Sequence, residues 1–256
     1  MSLQIPQSSE KFGFIVEGFG AHSGRTIMLK DMDRLLDSCP QNADFQDYHE
    51  AIIESNVLLK ETGASRKEAN TRLKRLYGLE NSILLFKIFK QLWFQDPLAQ
   101  PIVLILYAIA RDPILRGSVD SLLDTKPGEE VTAKYFEGVL FEMYQDQLSN
   151  KTLASIGRNI ASSWTQSGHL LGRSRKTRTL VQSYPTSVAF ALLLGHLCGS
   201  RGEMLFQTRW SQLLDTSIYD LHLKAQLASK QGWLEYRQIG NIIDITFDHF
   251  LGGVDL

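Results

Sequence analysis

Residues 102–110 read IVLILYAIA, nine consecutive apolar positions closed at once by Arg111 and Asp112. As a helix, nine residues rise about 14 Å, roughly half the thickness of a bilayer core. The stretch is too short to span a membrane and apolar on every side, so it must be surrounded by other elements of the same fold. The 256 residues supply enough chain to do this as one large domain or two small ones.

The rest of the chain is dominated by helical spacing. Asp44 to Lys60 brings Phe45, Tyr48, Ile52 and Leu59 near one stripe, and residues 82–94 are apolar on most sides. Ser65-Arg66-Lys67-Glu68 has the form of a capping box, which predicts a helix from Ser65 to Tyr77 that buries Ala69, Leu73 and Leu76. TKPGEE, residues 125–130, reads as a loop leading into an acidic first helical turn, followed by a helix with Val131, Tyr135, Val139 and Met143 on one face. We place a boundary there, between an N-terminal helical domain, 1–126, and a C-terminal helical domain, 127–256. Ser149 is positioned to cap a helix with Leu153, Ile156, Ile160 and Trp164 inward, and Gly168 to end it.

Two places break the helical pattern. Leu170-Leu171 and Thr179 to Gln182 read as short extended segments joined by a basic loop. Later, WLEYRQI and IIDITF flank Gly240-Asn241, with Ile243, Ile245 and Phe247 alternating with polar residues, a hairpin pattern. A helix, a glycine and a two-stranded hairpin in that order are the look of a winged helix-turn-helix. The expected fold is mainly α, a helical bundle with winged-helix-like units carrying small hairpins near 170–182 and 233–247.

Charge is segregated. The formal net charge is −1, yet from Gln147 to Gly202 there is no Asp or Glu, while Lys151, Arg158, Arg173, Arg175, Lys176, Arg178 and Arg201 are present. A phosphate backbone responds to such a local field rather than to the charge of the whole molecule. On the winged-helix reading, Lys151 and Arg158 belong to the helix offered to a groove, and Arg173, Arg175, Lys176 and Arg178 to the wing. A second basic surface is expected on the Ser65 helix, through Arg66, Lys67, Asn70 and Lys74, of which Arg66, Asn70 and Lys74 share a face by their spacing. A solvated loop and a solvated helix face are the plainer alternatives for both surfaces. The C-terminal hairpin region is acidic, which fits packing or protein contact better.

Catalytic and cofactor patterns are missing. GFGAHSGRT, from Gly18, has five residues between its flanking glycines where a phosphate loop has four, and Arg25 in place of the lysine, so it reads as a flexible turn. The histidines are scattered without metal-ligand spacing, and His196 reads as a hydrogen-bonded core residue. Asp44, Asp47 and Glu50 read as a solvated face. Cys39 and Cys198 are far apart in sequence and fit reduced thiols in a cytosol. No cofactor, no metal and no enzymatic activity are expected.

The stretch YHEAIIESNVLLKETGASRKEANTRLKRL and the later SNKTLASIGRNIASSWTQSGHLLG resemble the BrxA family, the small helical component of BREX anti-phage systems. The resemblance is carried by Asn56, Leu58, Ser65, Ala69, Arg72 and Leu76, then by Ser149, Thr152, Gly157, Gly168, Leu170 and Leu171. It implies an all-helical protein similar to the antitermination factor NusB, binding to DNA, and work beside other defence proteins. Three functions stay open at this point: a non-catalytic DNA-binding subunit, a protein-interaction scaffold, and an RNA binder as the NusB similarity implies.

Overall fold

The computed structural model describes residues 3–18, 20–240 and 242–253. In chain order its helices are α1 (Leu29–Ser38), α2 (Phe45–Ile53), α3 (Gly63–Tyr77), α4 (Leu84–Trp93), α5 (Gln100–Arg111), α6 (Pro113–Arg116) and α7 (Val119–Leu123). There follow α8 (Ala133–Tyr144), α9 (Asn150–Gln166), α10 (Pro185–Leu197), α11 (Arg209–Gln212), α12 (Ile218–Lys230) and α13 (Asp248–Leu251). The strands are β1 (Glu130–Val131), β2 (Leu170–Leu171), β3 (Lys176–Arg178), β4 (Glu235–Ile239) and β5 (Ile242–Thr246). The protein is mainly helical, with one sheet of three strands and one of two.

The apolar run becomes α5, every residue of which from Ile102 to Arg111 is buried. It packs against α4 on one side and α10 on another, and α10 is itself closed to solvent from Thr186 to Leu197. Tyr77, Phe86, Phe89 and Tyr107 form an aromatic cluster beside it, Phe89 and Tyr107 stacking with ring centroids 4.8 Å apart. Among the described residues, no helix is long and apolar enough to cross a membrane.

The two charges that close the run are structural. Arg111 donates from Nε to Leu76 O at 2.7 Å and from Nη1 to Gly13 O at 2.6 Å. Asp112 caps α6 by accepting from Ile114 N and Leu115 N, each at 3.0 Å. Arg116 reaches back to Ile15 O and Val16 O. The N-terminal segment is thus tied to the core through its own carbonyls.

Several sequence expectations are corrected here. α2 ends at Ile53 rather than near Lys60, and Leu59 is exposed with φ +54°, off the stripe. α3 is capped by Thr62, with Ser65 as the reciprocal partner three residues on, so Ser65 lies inside the helix rather than at its cap. Glu130 is in a strand, and α8 has no acid in its first turn. α8 buries Phe136 and Leu140, while Tyr135 and Met143 are exposed.

α9 begins at its Ser149 cap, buries Leu153, Ile156, Ile160 and Trp164, and is followed by Gly168 at φ +87°. The strand expected at Thr179 to Gln182 lies earlier, at Lys176–Arg178, inside the basic stretch. There it pairs on both edges, Leu171 opposite Thr177 on one side and Glu130 opposite Thr177 on the other. In the second hairpin Glu235 lies opposite Thr246 and Ile239 opposite Ile242. Gly240 has φ +59°, and Asn241 lies outside the described residues.

α8 and α9 approach at Gly157, where a Cβ would sit 2.7 Å from Ala133 O and 3.0 Å from Glu137 N. The close backbone contact accounts for a glycine in the middle of a helix, where it otherwise costs about 1 kcal/mol.

Candidate nucleic-acid interface

Helical geometry sorts α9 into two faces. Leu153, Ile156, Ile160 and Trp164 point into the core, and the opposite face carries Lys151, Ser155, Arg158, Ser162 and Thr165, spaced by fours and threes. Lys151 and Arg158 are exposed, and their side chains make no hydrogen bond or ion pair with the described residues. The N-terminal end of this stripe is open to solvent and positive.

The stripe's C-terminal end meets the three-stranded sheet. Lys176, at the start of β3, donates from Nζ to Thr165 Oγ1 at 2.8 Å. Partial burial lowers its ammonium below the ordinary lysine pKa. Arg173 and Arg175 sit in the exposed turn between β2 and β3, again with no described side-chain partner.

Arg178 is different, and its expected place among phosphate contacts is corrected. Its guanidinium is 3% exposed and grips Asp215, Nη2 to Oδ1 at 2.5 Å and Nη1 to Oδ2 at 2.8 Å. A side chain so placed closes the base of the hairpin and is buried out of a strand's reach.

The second expected surface, on α3, is also altered by packing. Arg66 donates to Ile53 O at 2.5 Å, Asn70 is buried with Nδ2 3.0 Å from His49 Nδ1, and Lys74 lies 3.5 Å above the Phe45 ring. The face shared by Arg66, Asn70 and Lys74 is therefore the contact between α2 and α3. Of the four residues expected there, Lys67 alone points to solvent without a described side-chain partner.

No protein-family model matches the chain, and no curated protein matches it.

The Gly18 loop was expected to be a flexible turn, and Phe19 within it lies outside the described residues. Ala21–Ser23 forms a 3-10 turn, and His22 is fully buried. His22 Nδ1 lies 2.9 Å from Asp112 Oδ2 and its Nε2 2.8 Å from Ser163 Oγ. Burial pushes the Asp112 carboxyl up, but the His22 ring and the N–H donors around it outweigh that and hold it below the usual carboxylate value. Gly20 packs so closely on Asp112 that a Cβ would fall 1.8 Å from Oδ1.

The order Ser163–His22–Asp112 matches the distances of a hydrolytic triad. All three residues are sealed at 0% exposure, and Ser163 Oγ also donates to Asn159 O and accepts from Ile27 N. A triad needs its hydroxyl open to a carbonyl and an oxyanion site beside it, so this network is a latch for the loop. Its sequence signal was the charged pair Arg111-Asp112 directly behind an apolar run. Among the described residues, no group of three or more His, Cys, Asp or Glu could hold a metal ion.

The latched loop, the start of α3 and the stripe of α9 enclose a cleft of about 730 Å³. Its lining includes Arg25, Lys30, Ser65, Asn159, Ser162 and Thr165. Sequence reasoning missed it because its walls come from three separate parts of the chain.

Proposed function

We propose that the chain is a non-catalytic nucleic-acid-binding protein whose ligand is DNA, working as a component of a BREX-type anti-phage defence assembly beside other defence proteins. One observation carries the DNA reading. Lys151 and Arg158 on α9, with Arg173 and Arg175 in the adjoining turn, are exposed cations without described protein partners in a 56-residue stretch that has no acid. The order β1, α8, α9, β2, β3 with the sheet order β1-β3-β2 supports a winged-helix reading of this unit. In that reading α9 enters a groove and the 172–175 turn follows the backbone. The defence assignment rests on the BrxA resemblance alone.

Binding through these side chains is phosphate-directed and shows little sequence preference, with affinity falling steeply as salt rises. The deciding experiment is a salt titration of binding to unrelated DNA duplexes, single-stranded DNA and RNA. Equal, steeply salt-dependent binding to the duplexes supports the reading, and no binding to any of the three overturns it.

A scaffold role has its own supporting observation on the C-terminal unit. Tyr219, Leu223 and Leu227 form an exposed apolar stripe along α12, and Ile239 and Ile242 are exposed at the tip of the β4–β5 hairpin. Such a surface fits contact with another protein, and the two readings can hold for two ends of one molecule.

A further inference from the structure

We propose that the 730 Å³ cleft beside α9 receives one unpaired nucleotide of a strand lying along that helix. The inference rests on the nucleic-acid reading of α9 and adds to it a site for a single-stranded element. Ser162 and Thr165 belong both to the solvent-facing stripe that begins at Lys151 and to the wall of the cleft. A backbone that follows the stripe from Lys151 past Arg158 is led to the cleft's mouth.

The cleft's chemistry matches the parts of a nucleotide. Met28, Leu29 and Ala69 give an apolar lining for the faces of a base. Asn159, through its Oδ1, and Ser162 supply polar groups within the same walls for its edges and for a sugar. Lys30 is exposed at the lining with no described side-chain partner, and Arg25 beside it is held by Glu68 at 3.0 Å. These two cations suit the phosphate that links the nucleotide to its strand. The volume lies in the range of small-molecule sites and takes one nucleotide rather than a duplex.

A paired base cannot enter without leaving its stack, so the cleft discriminates in favour of a base that is already unpaired. Among the described residues, the lining contains no aromatic ring. A base inside it leaves the stack of its neighbours and meets no ring among the described residues.

That absence of stacking provides the readout. A DNA duplex carrying a single unpaired 2-aminopurine is compared with a fully paired duplex of equal length and charge, because stacking quenches 2-aminopurine emission. The expected result is that the unpaired site binds about tenfold tighter, with a rise in emission on binding. Ala69→Phe, on α3 and off the α9 stripe, which fills the cleft, and Lys30→Gln should each remove both effects while the paired duplex keeps its affinity within about twofold.

Equal affinity for the two duplexes with unchanged emission overturns the cleft proposal and leaves DNA binding by α9 standing. A preference that survives in both variants overturns it as well. Failure of the wild-type protein to bind either duplex overturns both readings together. Where Ala69→Phe fails to fold, Lys30→Gln, an exposed substitution, decides alone.

Discussion

Arg178 and Asp215 meet as a bidentate ion pair whose side chains are 3% and 6% exposed, joining the base of the β2–β3 hairpin to the turn before α12. Removing one partner leaves the other charge buried without compensation, which costs about 3–5 kcal/mol. Arg178→Ala should lower the urea midpoint accordingly. The double variant Arg178→Met, Asp215→Leu should recover much of the loss, since apolar replacement of both members avoids the stranded charge. If Arg178→Ala weakens DNA binding without loss of stability, the placement of this side chain is wrong.

Arg173 and Arg175 test the opposite case. Both are exposed, so their replacement by Ala should change stability by no more than about 0.5 kcal/mol each. DNA affinity should fall by a similar factor for every sequence, and each lost phosphate contact should reduce the slope of log K against log salt by about 0.9. Lys151→Ala and Arg158→Ala should add to the effect, whereas Lys74→Glu on α3 should not. Should Lys74→Glu abolish binding while the hairpin variants bind normally, the contact surface is α3.

Two buried histidines set an acid limit. Burial lowers the His169 and His196 rings to about 4 each, against about 6.5 for a histidine in an unfolded chain. Between these values the unfolded chain binds more protons than the folded one, so stability is full above about pH 6.5 and falls as pH drops towards 4. Denaturant midpoints measured from pH 7 to 5 should decrease steadily. His196→Leu removes one titrating ring, whose Nδ1 is buried without a partner, and should flatten that slope.

Gly157 is predicted to refuse a side chain. The gain in helix propensity on Gly157→Ala is about 1 kcal/mol, but a Cβ 2.7 Å from Ala133 O forces α8 and α9 apart. Overpacking of this kind costs about 1–3 kcal/mol, so the net effect should be a lower melting temperature. A variant more stable than the parent would show that the two helices are not in backbone contact.

The parts legible in the sequence were those decided locally. Ser149 and Gly168 bound α9 because capping is settled within a few residues of each helix end. The alternation of Ile243, Ile245 and Phe247 placed β5 for the same reason. β1 was invisible because two residues carry no period, and β3 was misplaced because one of its two partners, β1, comes from a distant part of the chain. The sequence read Arg178 as one cation among four, since nothing near it reveals Asp215. On α3 the shared face of Arg66, Asn70 and Lys74 was correctly spaced but assigned to solvent, because α2 arrives from another stretch of chain.

The His22 latch has a consequence for the order in which the molecule assembles. Its bonds join residues 90 and 141 positions apart in sequence. Closing such loops costs chain entropy before any contact repays it, and chains rich in distant contacts fold slowly. α9 can form and pack on α8 early, because their contacts are close in sequence, so the basic stripe can exist before the cleft does. The wall built by residues 24–31 is completed only when the N-terminal segment docks on Asp112 and Ser163. His22→Ala should therefore delay the last refolding phase and loosen the cleft while leaving the early helical signal unchanged.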